Sequence, residues 1–204
     1  MSGPREHWEK AYRTKAETEL SWFQARPERS LALIREAAPE SAAPIIDIGG
    51  GASRLADELL AAGYTDVTVL DLSEAALAHT QARLGAKAAS VHFVAADITR
   101  WMPARQWSVW HDRAVFHFLA DRESQDAYIH TLLQCTAPGA TIIIATFALD
   151  GPARCSGLPV QRYSAETLAA RVGRAFQLVK HEAEVHTTPA GRSQAFSYCV
   201  FRRS

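Results

Sequence analysis

The chain is 204 residues long, 48% hydrophobic and 22% charged, and its 22 lysines and arginines balance 22 aspartates and glutamates. That length suits one domain with a sizeable core, and the zero net charge excludes a nucleic-acid binder that relies on a general basic field. No apolar run approaches the ~18 residues needed to span a bilayer. The segment from Met1 to Lys10 is polar and charged, unlike a signal peptide. Cys135, Cys155 and Cys199 are dispersed and odd in number, without disulfide or zinc spacing. The expectation is a cytoplasmic protein, monomeric or homodimeric, with no nucleic-acid or membrane partner and no metal.

Residues 4–38 read as helical. Pro4 can open a helix with Trp8 and Tyr12 on one face, and Pro27 starts a second with Leu31 and Ile34 inward, ending near Pro39. Ile45–Ile48 is a short apolar strand. Ser53 can cap the next helix, which buries Leu55, Leu59 and Leu60 and stops at Gly63. Val67–Leu70 is a second strand. A helix then runs from Ser73 to Gly85, and Val91–Asp97 forms a third strand ending in an acid. Trp107–Val115 holds a fourth strand, and Tyr128, Ile129, Leu132 and Leu133 mark a helix on the 3.6-residue period. Pro138-Gly139 turns into Ala140–Phe147, a continuous apolar run suited to a strand covered on both faces. Residues 150–160 form a loop and Ser164 caps a helix reaching Gly173. Gln177–His186 and Gln194–Phe201 are strands joined by a turn over Thr187–Ser193.

The organising stretch is Ile45 to Asp71. An apolar run ending in Gly49, Gly50 and Gly51, then a helix, then a strand ending in Asp71, is a nucleotide-type βαβ unit. Clustered glycines let the backbone close on a ligand and adopt positive φ. An acid about 20 residues later stands where a carboxylate can take both hydroxyls of a ribose. A dinucleotide site wants G-x-G-x-x-G, but position 54 is Arg, and Asp47 just before the glycines suits an ammonium better than phosphates. A plain tight turn is the other reading of the glycines.

The pattern Asp47-x-Gly49-x-Gly51 resembles motif I of the class I S-adenosylmethionine-dependent methyltransferases. The resemblance implies a Rossmann-like α/β sheet of seven strands in the order 3-2-1-4-5-7-6, flanked by helices, with the final strand antiparallel between its neighbours. One domain would fill residues 1–204, with 1–40 as a helical lid or extension and 41–204 as the core. S-adenosylmethionine would be the cofactor: Asp47, Gly49, Gly50 and Gly51 at its methionine end, Asp71 and Leu72 at its ribose, Asp97 and Ile98 at its adenine. The alternative for Asp97 is a turn or helix-capping acid.

The stretch Val109-Trp110-His111-Asp112-Arg113-Ala114-Val115-Phe116 puts a His, a carboxylate and a guanidinium at a strand end. It is similar to the Asp-Arg pair of the thiopurine and small-thiol methyltransferases. Ser156-Gly157-Leu158-Pro159-Val160 looks like their Gly-Pro-Pro-x-x-Val pocket loop, with Leu158 in place of one proline. By that resemblance His111, Asp112 and Arg113 face the acceptor, and Trp8, Tyr12, Trp22, His117, Gly157 and Pro159 line its site. Competing readings are that Asp112 and Arg113 pair beneath the strand end, that His117 is a core residue between two phenylalanines, and that the N-terminal aromatics only pack the extension onto the sheet. Cys155 reads as a bystander. The expected activity is methyl transfer to a small-molecule thiol or other soft nucleophile. Trp8 with Trp22 also resembles the leading segment of protein-lysine methyltransferases, which makes a lysine the second candidate acceptor. A non-catalytic S-adenosylmethionine-binding module is the third reading.

Overall fold

The computed structural model describes residues 3–103 and 105–204. Four short parallel strands come first: β1 (Ile45–Ile48), β2 (Val67–Asp71), β3 (Val91–Ala95) and β4 (Trp107–Arg113). β5 (Thr136–Phe147) follows, then a two-residue ribbon of β6 (Arg154–Cys155) and β7 (Leu158–Pro159), then the long β8 (Phe176–Thr187) and β9 (Ser193–Arg203). The main sheet has seven strands in the order β3-β2-β1-β4-β5-β9-β8, with β9 antiparallel to both neighbours. Counting the ribbon apart, this is the order 3-2-1-4-5-7-6.

Alternation along the strands sorts side chains into two cores. Val67, Val69, Val109, Ile143 and Val200 point to the face covered by α2 (Glu28–Ala37), α3 (Leu55–Ala61) and α4 (Glu74–Leu84). Ile46, Ile48, Trp110, Ile142 and Phe201 point to the face covered by α5 (Arg122–Gln134) and α6 (Ala165–Val172). Two-sided cover explains why β5 reads as an unbroken apolar run.

The helices begin where the sequence supplies acceptors for their free N–H groups. Ser73 Oγ accepts from Ala76 N at 3.1 Å, Asp121 Oδ1 from Ser124 N at 2.8 Å, and Ser164 Oγ from Thr167 N at 3.2 Å. At α3 the capping residue is Arg54; Ser53 stands one place earlier and its Oγ takes Leu55 N at 3.1 Å. Strand β5 starts four residues earlier than the apolar run, because Thr136 pairs with Trp107 before a register shift carries Pro138-Gly139 past the ladder. Asp97 lies beyond β3 in a turn that its own Oδ1 holds by accepting from Thr99 N and Oγ1.

The N-terminal segment sits on the strand tips. α1 (Pro4–Thr14) is tied to α4: Ala75 N donates to Glu9 Oε1 at 3.2 Å and His79 Nε2 donates to the Tyr12 carbonyl at 2.9 Å. Glu9 thereby places a negative charge at the positive N-terminal end of α4. Arg83, in the last turn of α4, clamps the glycine loop from behind, donating to the Ser53 carbonyl at 2.7 Å, to Asp57 and to Glu17.

Tyr128 joins α5 to the sheet. Its hydroxyl donates to Asp112 Oδ2 at 2.7 Å and accepts from Trp110 Nε1 at 2.8 Å, with all three residues buried. Tyr128→Phe leaves a buried indole N–H and a carboxylate oxygen short of a partner. It should lower the unfolding free energy by about 1–3 kcal/mol in urea titrations, while affinity for S-adenosylhomocysteine stays at the wild-type value.

Candidate active site

Beyond the C-terminal ends of β1 to β4 lies a cavity of about 510 Å³. Gly49, Asp71, Leu72, Asp97 and Ile98 form its floor on the β1–β3 side. Arg113, Ala114, Val115 and Phe118 continue the floor past β4, and Trp8, Tyr12 and Trp22 roof it. Cys155, Leu158 and Pro159 of the ribbon close the remaining side. A hollow of about 50 Å³, bordered by Asp47, Gly50, His111 and Ser30, adjoins it through Trp22, Ile48, Gly49 and Arg113.

The glycine loop has its residues for steric reasons. Gly49 has φ of 67°, and a Cβ there would overlap the Val115 side chain. A Cβ on Gly50 would strike the Asp47 carboxylate and one on Gly51 the Asp71 carboxylate. The loop is thus pinched between two acids. Gly49 and Gly50 N–H both donate to the Leu70 carbonyl, at 2.7 and 3.2 Å, so neither is free to cradle a phosphate.

Both acids are buried. Asp71 is 7% exposed and its Oδ1 accepts from Ser73 N at 2.8 Å. Burial pushes its carboxyl up to about 7; the Ser73 N–H opposes the shift and the nearby Asp47 adds to it. Asp47 Oδ1 accepts from His111 Nδ1 at 2.7 Å, and His111 Nε2 accepts from the Ser30 hydroxyl at 2.9 Å. These three buried groups form a hydrogen-bonded line from α2 through β4 to β1. Ser30 carried no signal in the sequence, since it occupies an apolar-face position of an ordinary amphipathic helix.

The His111-Asp112-Arg113 stretch divides by strand alternation. Asp112 faces α5, fully buried, and accepts from Val115 N at 2.9 Å, Phe116 N at 3.1 Å and the Tyr128 hydroxyl. Ala114, at φ 71°, bends the chain so that those two N–H groups return to the carboxylate. Burial raises the Asp112 carboxyl to about 6, against the pull of these donors. His111 spends both ring nitrogens on Asp47 and Ser30. The expectation that all three face an acceptor is therefore revised: of the three, Arg113 alone lines the larger cavity. Arg113 does not pair with Asp112. Its Nε donates to the Tyr198 hydroxyl at 3.0 Å and its Nη1 to the Trp22 carbonyl at 3.3 Å, and its Cζ stands 4.3 Å from the Phe196 ring centroid.

His117 is also revised. It is fully buried, its Nδ1 accepts from Phe147 N at 3.3 Å, and burial pulls its pKa down to about 3, so it is a neutral core residue away from the cavity. Gly157 turns the ribbon at φ 79° without lining the cavity, whereas Pro159 does line it. Trp8 meets Trp22 and Phe118 edge-on at ring-centroid distances of 5.6 and 5.0 Å, so the aromatics both pack the extension and wall the cavity. Two wall residues carry buried nitrogens without a hydrogen-bond partner, His7 Nε2 and Arg113 Nη2. Such a group costs about 1–3 kcal/mol while unpaired.

Residues 45–139 match the methyltransferase domain family. Over 98 residues the chain is 26% identical to the eEF1A lysine and N-terminal methyltransferase of Mus musculus, which covers 48% of this chain and only 14% of that protein. An enzyme described for the conversion of a disulfide bond into a thioacetal group during echinomycin biosynthesis superposes with a TM-score of 0.80 at 19% identity, covering 99% of this chain and 92% of the other. The 1,6-didemethyltoxoflavin-N1-methyltransferase of Burkholderia thailandensis, solved with S-adenosylhomocysteine, gives 0.72 at 18% identity, covering 100% and 92%. The chain carries a methyltransferase domain of the class I, S-adenosylmethionine-dependent type.

The raised carboxyls set a pH dependence. Each binds a proton in the folded state at pH values where the unfolded side chain, near 3.9, has lost it. Stability therefore falls as pH rises from about 4 to about 7, with Asp112 acting in the lower part and Asp71 up to the top. Unfolding titrations of Asp71→Asn should lose the decline between about pH 6 and 7 and keep the decline below it.

Proposed function

We propose that the protein methylates a small-molecule soft nucleophile, a thiol foremost, inside the roofed cavity. The observation that carries this reading is the enclosure. Trp8, Tyr12 and Trp22 cover the strand tips, Leu158 and Pro159 close the side, and what space the donor leaves is a pocket rather than an open groove. A protein-lysine methyltransferase is the second reading, favoured by the similarity to the mouse lysine and N-terminal methyltransferase.

The residues present fit S-adenosylmethionine. Asp71 is a buried carboxylate short of donors, which two ribose hydroxyls would provide. Asp97 and Ile98, past β3, would stand beside the adenine, although Asp97 Oδ1 is already engaged by Thr99 and the turn-cap role is met. Asp47, held by His111, would face the ammonium, with Gly49 to Gly51 keeping the backbone clear. Leu72 flanks the ribose position. When bound, S-adenosylmethionine supplies an electrophilic methyl carbon on a sulfonium centre.

The chain's own contribution is alignment and exclusion of water. Holding donor and acceptor in line accounts for much of the rate in a direct displacement. The aromatic roof offers ring faces that favour a cationic centre. A thiol acceptor is a few per cent thiolate at neutral pH and needs little help from a base. This suits a site whose nearest carboxylate after β4, Asp112, is spent on the fold. The structural neighbour that converts a disulfide bond into a thioacetal group is a sulfur-chemistry precedent on this fold.

Two measurements test the reading. Asp71→Ala should weaken S-adenosylhomocysteine binding by about 1.5–3 kcal/mol, roughly 10- to 150-fold, by calorimetry. With labelled donor, small thiols should accept methyl groups. Label entering only the proteins of a lysate would transfer the assignment to the lysine reading.

A further inference from the structure

We propose that the acceptor carries an anionic group, a carboxylate or its equivalent, and that the Arg113 guanidinium holds it. The inference rests on the proposed methyl transfer to a small molecule and names the charge that this molecule must bring.

Three observations converge on Arg113. The first is charge. The guanidinium is largely withdrawn from water, yet its bonded partners are a tyrosine hydroxyl and a backbone carbonyl, and no carboxylate within 4.0 Å of it is seen among the described residues. A buried cation is ordinarily paired. The second is hydrogen bonding. Nη2 is buried and has no partner at all, in a side chain that walls the cavity. Arginine presents its N–H groups in a fixed fork that matches a carboxylate, and here one arm of that fork is already ordered and unused.

The third is position in the sheet. The acids assigned to the donor sit at the tips of β1, β2 and just past β3, on one half of the sheet. Arg113 leaves β4 in the opposite direction, crossing β5 to reach Tyr198 and Phe196 on β9. Its neighbours on that half are Cys155, His186 and Tyr198, all of which feel its positive charge. The donor's own carboxylate belongs with Asp47 at the glycine loop, so the vacant fork falls to the acceptor. A lysine ammonium entering the same space meets a fixed like charge, which disfavours a protein-lysine substrate.

Three thiols of equal reach separate these ideas: 3-mercaptopropionate, 2-mercaptoethanol and cysteamine, which end in an anion, a neutral hydroxyl and a cation. Each is titrated calorimetrically into protein saturated with S-adenosylhomocysteine, and propionate is used as a thiol-free competitor. The expected result is that 3-mercaptopropionate binds roughly tenfold or more tighter than the other two and that propionate displaces it. Arg113→Gln should abolish the preference and Arg113→Lys should retain part of it. Both variants should keep the wild-type affinity for S-adenosylhomocysteine, which also reports that they are folded.

Equal binding of the three thiols, no binding of either carboxylate at millimolar concentration, or a preference that survives Arg113→Gln overturns the proposal. So does a parallel loss of S-adenosylhomocysteine affinity in Arg113→Gln, which would assign the guanidinium to the donor's carboxylate. Turnover is read separately with labelled donor. An anion preference in binding with no thiol methylated leaves the Arg113 assignment standing and removes the thiol reading.

Discussion

Packing two carboxylates against one bend of backbone is the constraint on which the donor half of the molecule depends. Asp47 and Asp71 reach the same glycine loop from adjacent parallel strands, and either would collide with any side chain added at Gly50 or Gly51. Burying like charges close together is unfavourable. The protein meets it differently at the two sites. Asp47 receives an imidazole N–H that is itself backed by Ser30. Asp71 receives one backbone N–H and otherwise holds its proton to near neutral pH. The loop is then clamped from outside by Arg83, which ties it to α4, to Asp57 and to Glu17. The geometry is set before any ligand arrives, so little ordering remains to be done on binding.

The same economy governs the end of β4. Successive residues of a strand point to opposite faces, so three adjacent polar residues cannot all serve one site. Asp112 points to α5 and becomes the anchor for the turn that follows, collecting two backbone N–H groups and the Tyr128 hydroxyl. His111 and Arg113 point to the other face. His111 lies one step back from the tip, beside its register partner Asp47, and is consumed there. Arg113 is the last residue of the strand and meets open space. A stretch that reads as one catalytic cluster is thus a structural acid, a supporting imidazole and one residue at the cavity wall.

This contrast also marks what a sequence can disclose. The sheet order, the two-sided cover of β5 and the cavity at the strand tips follow from local patterns: apolar runs of strand length, caps such as Ser73 and Ser164, and glycines at bends. Those patterns act over a few residues, and single positions carry them. The relations that define the site do not. Ser30 meets His111 across 81 residues, and Arg113 meets Tyr198 across 85. No spacing rule encodes such pairs. His117 misleads for the same reason: its flanking phenylalanines mark it as apolar, but only the fold reveals that Phe147 N–H takes one nitrogen and that no path leads from the ring to the cavity. The start of β5 was hidden because a proline and a glycine inside a register shift look like a turn.

The charges of the two halves bear on selectivity as well as binding. Carboxylates cluster under the β1–β3 side of the cavity and a single unneutralised guanidinium stands toward β9. Across a low-dielectric space a few ångströms wide, that separation produces a fixed field directed from the β9 side toward the β1–β3 side. A cationic donor and an anionic acceptor would each lie on the side that attracts it, brought toward each other by the walls rather than by their own attraction alone. Transfer of the methyl group cancels both charges, since the sulfonium becomes a thioether and a thiolate becomes one too. The field then no longer holds either product, apart from whatever carboxylate Arg113 retains. An arrangement that grips charged reactants and loosens on neutral products gives this fold a physical reason to keep Arg113 unpaired, and it favours release after each turnover.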